Sequence, residues 1–222
     1  MISDFEAIQD LCKEIDAAAK SPIQIYLIGG AMLLYHDLKI ATKDIDIIVD
    51  TKQEFDALQK ILYTLGFKNK ILTNVYKRVN LDQQLVRDDF LIDIFQKTVC
   101  KQLSLSSRMK KRAQSIRELE HIELVLCSRE DVFLLKTLTE REGDIQDCIS
   151  LAQTGIDWDV ILEEIQEQIR ETGEEVWITY VGERLSILQE RNVVIPIMNK
   201  IEALCETYYD KLEKIEQEQK KK

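Results

Sequence analysis

Proline and glycine are scarce, with two Pro and seven Gly in 222 residues. That excludes collagen-like and low-complexity chains and speaks against a loop-rich all-β sandwich. The five cysteines are odd in number, no two stand as CxxC, and only two histidines accompany them. Neither a structural disulfide framework nor a zinc site is expected. Long apolar runs are missing too. The longest, residues 23–35, is broken by Gln24 and falls short of the roughly 20 residues a membrane span needs. The opening residues are acidic, unlike the basic start of a secretory signal. The composition therefore predicts a cytoplasmic protein without a membrane partner. What is present is 45% hydrophobic and 32% charged, enough for a large core in one or two helix-rich domains.

Basic charge is also short, with a net charge of −10. This excludes a protein that coats nucleic acid by phosphate neutralisation. One stretch runs the other way. From Lys97 to Arg117 there are seven basic residues (Lys97, Lys101, Arg108, Lys110, Lys111, Arg112, Arg117) and no acid, so an RNA or polyphosphate contact and a plain solvated helix face both remain open there.

Periodicity orders the rest. Phe5, Ile8, Leu11, Cys12 and Ile15 make a helical stripe stopped by Ser21-Pro22. Residues 23–28 read as a buried strand ending at Gly29-Gly30, a strand-to-helix turn before a helix over 31–38. Residues 45–49 form a second strand, and Phe55 to Leu65 an amphipathic helix ended by Gly66. Further strands are expected at 71–79, 90–95 and 121–127. From Ser128 the pattern turns helical, with a capping signal at Ser128 and Asp131, helices over 145–152 and 157–171, and a last helix after Pro196. The apolar-free tail, 216–222, is expected to fray. The division expected is an α/β domain over 1–127 and a helical domain over 128–222.

Three features carry chemistry, namely the glycine pair, Asp44-Ile45-Asp46 at the start of one strand, and Asp93 embedded in Leu91-Ile92-Asp93-Ile94-Phe95. A buried carboxylate is costly without a cationic partner. If the strands of Asp46 and Asp93 are neighbours, three carboxylates converge, and divalent cations relieve their repulsion. Hard oxygen ligands suit Mg2+ or Mn2+. Such ions clamp an in-line phosphoryl displacement, while a glycine turn lets backbone N–H groups approach a triphosphate.

Gly29, Gly30, Asp44, Asp46 and Asp93, in this order along strand, turn, helix and strands, resemble the signature of the DNA polymerase β-like nucleotidyltransferase superfamily. The stretch Leu27-Ile28-Gly29-Gly30-Ala31-Met32, then Thr42-Lys43-Asp44-Ile45-Asp46, is similar to the branch holding abortive-infection toxin nucleotidyltransferases. Ser128-Arg129-Glu130-Asp131, Lys136, Arg141, Asp144 and Asp147 resemble that branch's second block. Two positions depart from its pattern: Gly143 stands where a basic residue often precedes the first of the paired acids, and Ile40 where Arg is common.

The resemblance implies a mixed β-sheet flanked by helices and followed by an all-helical domain. It implies transfer of a nucleoside monophosphate from an NTP to an acceptor hydroxyl with release of pyrophosphate. Asp44, Asp46 and Asp93 would be the catalytic, metal-binding acids for Mg2+ or Mn2+, and Gly29, Gly30, Thr42, Lys136, Arg141 and Asp144 the nucleotide-binding residues. RNA, protein and a small molecule stay open as acceptors, a toxin-like role would bring a cognate antitoxin, and the oligomeric state is open. The alternative is a catalytically inactive nucleotide- or partner-binding module of the same fold.

Overall fold

A computed structural model describes residues 1–70, 83–173 and 175–219, so the strand expected over 71–79 lies outside the described residues. The chain divides into two compact units, Met1–Leu135 and Lys136–Lys222.

In the first unit, helix α1 (Phe5–Ala18) starts at Asp4, whose carboxylate accepts from the Glu6 N–H at 2.8 Å, and buries Ile8, Leu11, Cys12 and Ile15. Strand β1 (Ile23–Ile28) leads through Gly29 into helix α2 (Gly29–Tyr35), which contains the glycine pair as its first residues. Strand β2 (Ile45–Val49) is followed by helix α3 (Lys52–Thr64), opened by a full capping box between Thr51 and Glu54. Then come β3 (Lys68–Asn69), β4 (Gln83–Arg87), β5 (Phe90–Gln96), β6 (Thr98–Val99) and β7 (Leu103–Ser104). A short helix, α4 (Ser107–Arg112), β8 (Gln114–Glu118), β9 (Ile122–Leu126) and helix α5 (Arg129–Lys136) follow.

Seven of these strands form one mixed sheet in the order β3-β4-β5-β2-β1-β9-β8. β1 pairs parallel with β9 and β2 parallel with β5, while β1 and β2 run antiparallel. The central strands are apolar on both faces because helices cover them. Ile25, Leu27, Ile47, Ile94 and Leu124 are buried on one face and Tyr26, Ile48, Phe95 and Val125 on the other. Asp16 ties α1 to the sheet, its Oδ1 accepting from the His121 and Ile122 N–H groups at 2.7 and 2.9 Å.

The second unit holds α6 (Glu142–Gln153), α7 (Trp158–Thr172), α8 (Trp177–Glu190) and α9 (Met198–Gln219). Its core gathers Ile145, Cys148, Leu151, Ile165, Trp177, Leu185 and Ile201. A mixed sheet flanked by helices, with a helical C-terminal segment, is thus the architecture. Several elements lie outside the sequence expectation, among them β4, β6, β7 and β8. α8 was not anticipated as a helix, and α9 continues to Gln219 where fraying was expected, because Glu, Lys and Gln sustain a helix without apolar contacts. Among the described residues no helix is long and apolar enough to cross a membrane.

Candidate active site

The site begins where β1 turns into α2. Gly29 has φ 60°, a left-handed conformation that costs a side-chain-bearing residue about 1–2 kcal/mol. The space argument is stronger. A Cβ on Gly29 would stand 2.0 Å from Asp46 Oδ2, and one on Gly30 2.2 Å from Thr42 Oγ1. The glycine pair is what lets the start of α2 lie against the acidic strand. Thr42, buried, is bridged to Ile2 by two backbone hydrogen bonds of 2.9 and 2.8 Å, and its hydroxyl donates to the Asp44 carbonyl at 2.9 Å. Its side chain thereby shapes the loop that presents Asp44.

The register of the parallel pair sets Asp46 beside Asp93, and Asp44 lies two residues earlier, just before β2. One carboxylate oxygen from each of Asp44, Asp46 and Asp93 falls within 4.8 Å of the others. Asp44 and Asp46 are half-buried, and Asp93 is 4% exposed. Oxygens bound to one divalent ion at 2.0–2.6 Å lie within about 5 Å of each other, so the spacing and the hard, anionic donor set fit Mg2+ or Mn2+. Asp88 and Asp89 form the two-residue hairpin between β4 and β5, where Asp88 has φ 52° and a side chain 86% exposed. Asp93, rather than either of them, lies with Asp44 and Asp46.

A residue that the sequence did not single out sits beside Asp93. Gln84, 2% exposed, pairs with Asp93 across the β4–β5 hairpin, and its Nε2 donates to Asp93 Oδ1 at 2.6 Å. The signal was present: Gln84 and Asp93 are equidistant from the Asp88-Asp89 turn, so a two-residue hairpin pairs them.

Of the second block, Lys136, Arg141, Asp144 and Asp147 gather within the helical unit. Lys136 Nζ lies 2.6 Å from Asp144 Oδ1 and 2.8 Å from Asp147 Oδ2, and Arg141 Nε donates to Asp144 Oδ2 at 2.6 Å. Thr139 Oγ1 also donates to Asp144 Oδ2. Burial works to raise the Asp144 pKa, but Lys136 and Arg141 outweigh it and hold the carboxyl below its usual range. Lys136 is thus enclosed between two acids, with a side chain 10% exposed, while that of Arg141 is 56% exposed.

The basic stretch is partly consumed by ion pairs. Arg112 binds Asp131 with Nη2–Oδ1 at 2.5 Å, and Lys110 binds Asp50 at 2.7 Å. Asp131 is 1% exposed and also caps α5 with Ser128. These two cations hold the first unit together, so the stretch is not simply a free basic face.

A mixed sheet bearing acids on adjacent strands, abutted by a glycine turn, resembles the polymerase β-like class of nucleotidyltransferases. The chain belongs to the family described as "Nucleotidyltransferase of unknown function (DUF6036)", whose profile matches residues 4–179. Two solved structures share the fold. One is a solution structure of the antibiotic-resistance factor ANT(2'')-Ia, with a TM-score of 0.50 and 12% identity over 77% of this chain and 96% of that one. The other is a crystal structure of ANT(2'')-Ia in complex with adenylyl-2''-tobramycin, with a TM-score of 0.50 and 10% identity over 76% and 98%. No curated protein sequence matches the chain.

Proposed function

We propose that this nucleotidyltransferase moves a nucleoside monophosphate from an NTP to an acceptor hydroxyl, releases pyrophosphate and depends on Mg2+ or Mn2+. The observation that carries the reading is the convergence of Asp44, Asp46 and Asp93 within 4.8 Å, directly against a turn that tolerates no side chain at Gly29. Asp44, Asp46 and Asp93 are the residues that hold the metal. When bound, it supplies positive charge that neutralises phosphate oxygens and favours an ionised attacking oxygen. The chain itself does the rest. Gly29 and Gly30 let the start of α2 lie against Asp46 and Thr42, so that a triphosphate bound at this helix start would meet the acid cluster, and Asp93 lines that cluster from the adjacent strand. Lys136, Arg141 and Asp144, the nucleotide-binding residues that the resemblance implies, form an ion-pair cluster of their own within the helical unit.

A small-molecule or protein hydroxyl ranks ahead of RNA as acceptor. Two of the seven basic residues that would have formed an RNA surface are engaged with Asp50 and Asp131, and the complex of ANT(2'')-Ia with adenylyl-2''-tobramycin supports a small polyol or aminoglycoside. A toxin-like role would add a cognate antitoxin as partner and fits a protein or an RNA acceptor alike. The test is incubation with each α-labelled NTP, Mg2+ or Mn2+, and separate pools of aminoglycosides, cell protein and RNA. Label in one pool names the acceptor class. No label in any pool, from folded protein, would favour the inactive nucleotide-binding module.

A further inference from the structure

Gln84 is almost completely buried on β4, at a strand position where stability alone favours an apolar side chain of the kind its neighbour Leu85 supplies. Its amide is spent in one direction. Nε2 donates to Asp93 Oδ1 at 2.6 Å, and Oε1, equally buried, has no hydrogen-bond partner among the described residues. The opposite orientation would face an amide oxygen to a carboxylate oxygen, two acceptors in contact. The amide is therefore set by Asp93 and leaves its own acceptor without a partner among the described residues. The preceding residue behaves differently. Gln83 points to the other side of the strand and is satisfied by Gln59, Tyr63 and Asn69.

We infer that Gln84 is a positioning residue, which holds the Asp93 carboxylate in the orientation that completes the metal site with Asp44 and Asp46. Asp93 stands on β5 between Gln84 of β4 and Asp46 of β2, so the Gln84 amide adds a directional restraint on the carboxylate from the strand on the other side of β5 from Asp46. A neutral donor supplies that restraint without a positive charge that would compete with the cation. The inference rests on the metal-site reading given above.

Mn2+ binding to the whole protein, read by electron paramagnetic resonance, tests it without any acceptor. Gln84→Met keeps the side-chain length and loses the donor, and Gln84→Val gives a second, strand-favouring variant should the first fold poorly. Both are expected to weaken Mn2+ binding by about 10- to 100-fold, and neither should weaken it further in an Asp93→Asn background, since partners acting through one another are not additive. Unchanged affinity in a folded Gln84 variant, or an equal loss in both backgrounds, overturns the role of Gln84 while leaving the metal site standing. A parent protein that binds no Mn2+, with Asp46→Asn indistinguishable from it, overturns the metal-site reading as well.

Discussion

At the scale of single residues, the account turns on Gly29. Its φ of 60° and the 2.0 Å that would separate a Cβ from Asp46 Oδ2 mean that Gly29→Ala must displace the Asp46 carboxylate or the start of α2. Displacements near 1 Å at a reacting centre cost on the order of 100-fold in rate. Gly29→Ala is expected to lower label transfer by at least about that factor and to weaken Mn2+ binding, while circular dichroism shows the helices intact. Wild-type transfer by this variant would mean that the turn does not abut the reacting groups.

Lys136 allows a second test at this scale. Its amine separates two buried carboxylates, Asp144 and Asp147, and removing one partner of a buried ionic group costs about 3–5 kcal/mol. Lys136→Met should lose stability of that order in denaturant unfolding at pH 7. The pH dependence has a definite sign. The pKa of Asp144 is lowered in the fold, so its contribution is present above its ordinary value of 3.8 and fades as pH falls through that value and below. The gap between parent and Lys136→Met should therefore persist as pH falls from neutrality to 3.8 and narrow below that value. A gap that stays constant would place the stabilisation elsewhere.

Among the elements, those with strong apolar patterning were readable from sequence, namely α1, β1, α3, β5 and β9. In α8 the signal is blunted by Gly182 and by Arg184, which is buried despite its charge. β4 opens on Gln83 and Gln84, polar residues that are buried all the same, and β8 is largely exposed with no clean alternation. Periodicity reports transfer from water, so a polar side chain satisfied only by tertiary partners is invisible to it. The acid cluster could be read because Asp93 stands inside an apolar strand. Gln84 was not singled out although the Asp88-Asp89 turn pairs it with Asp93, because a glutamine in a strand does not by itself signal burial.

The basic helix α4 shows the same limit, because its charge pattern hides which side chains are already paired. Arg112→Glu would leave Asp131 buried against a like charge, and it is expected to cost at least about 3–5 kcal/mol in chemical denaturation, irrespective of any ligand. Lys111, exposed on the same helix, separates the questions. Lys111→Glu should leave both stability and label transfer at parental levels if the acceptor is small. A selective loss of RNA labelling would restore RNA as the acceptor.

For the whole molecule, the match over residues 4–179 makes this chain a member of a nucleotidyltransferase family, and the three acids make catalysis the expectation. Label transfer from α-labelled NTP by the parent and by Asp44→Asn and Asp46→Asn, in Mg2+ or Mn2+ with the acceptor pools, tests that expectation most directly. Parental transfer with pyrophosphate release, abolished in both variants while their melting curves stay parental, is the predicted result. Undiminished transfer by either variant would contradict the account.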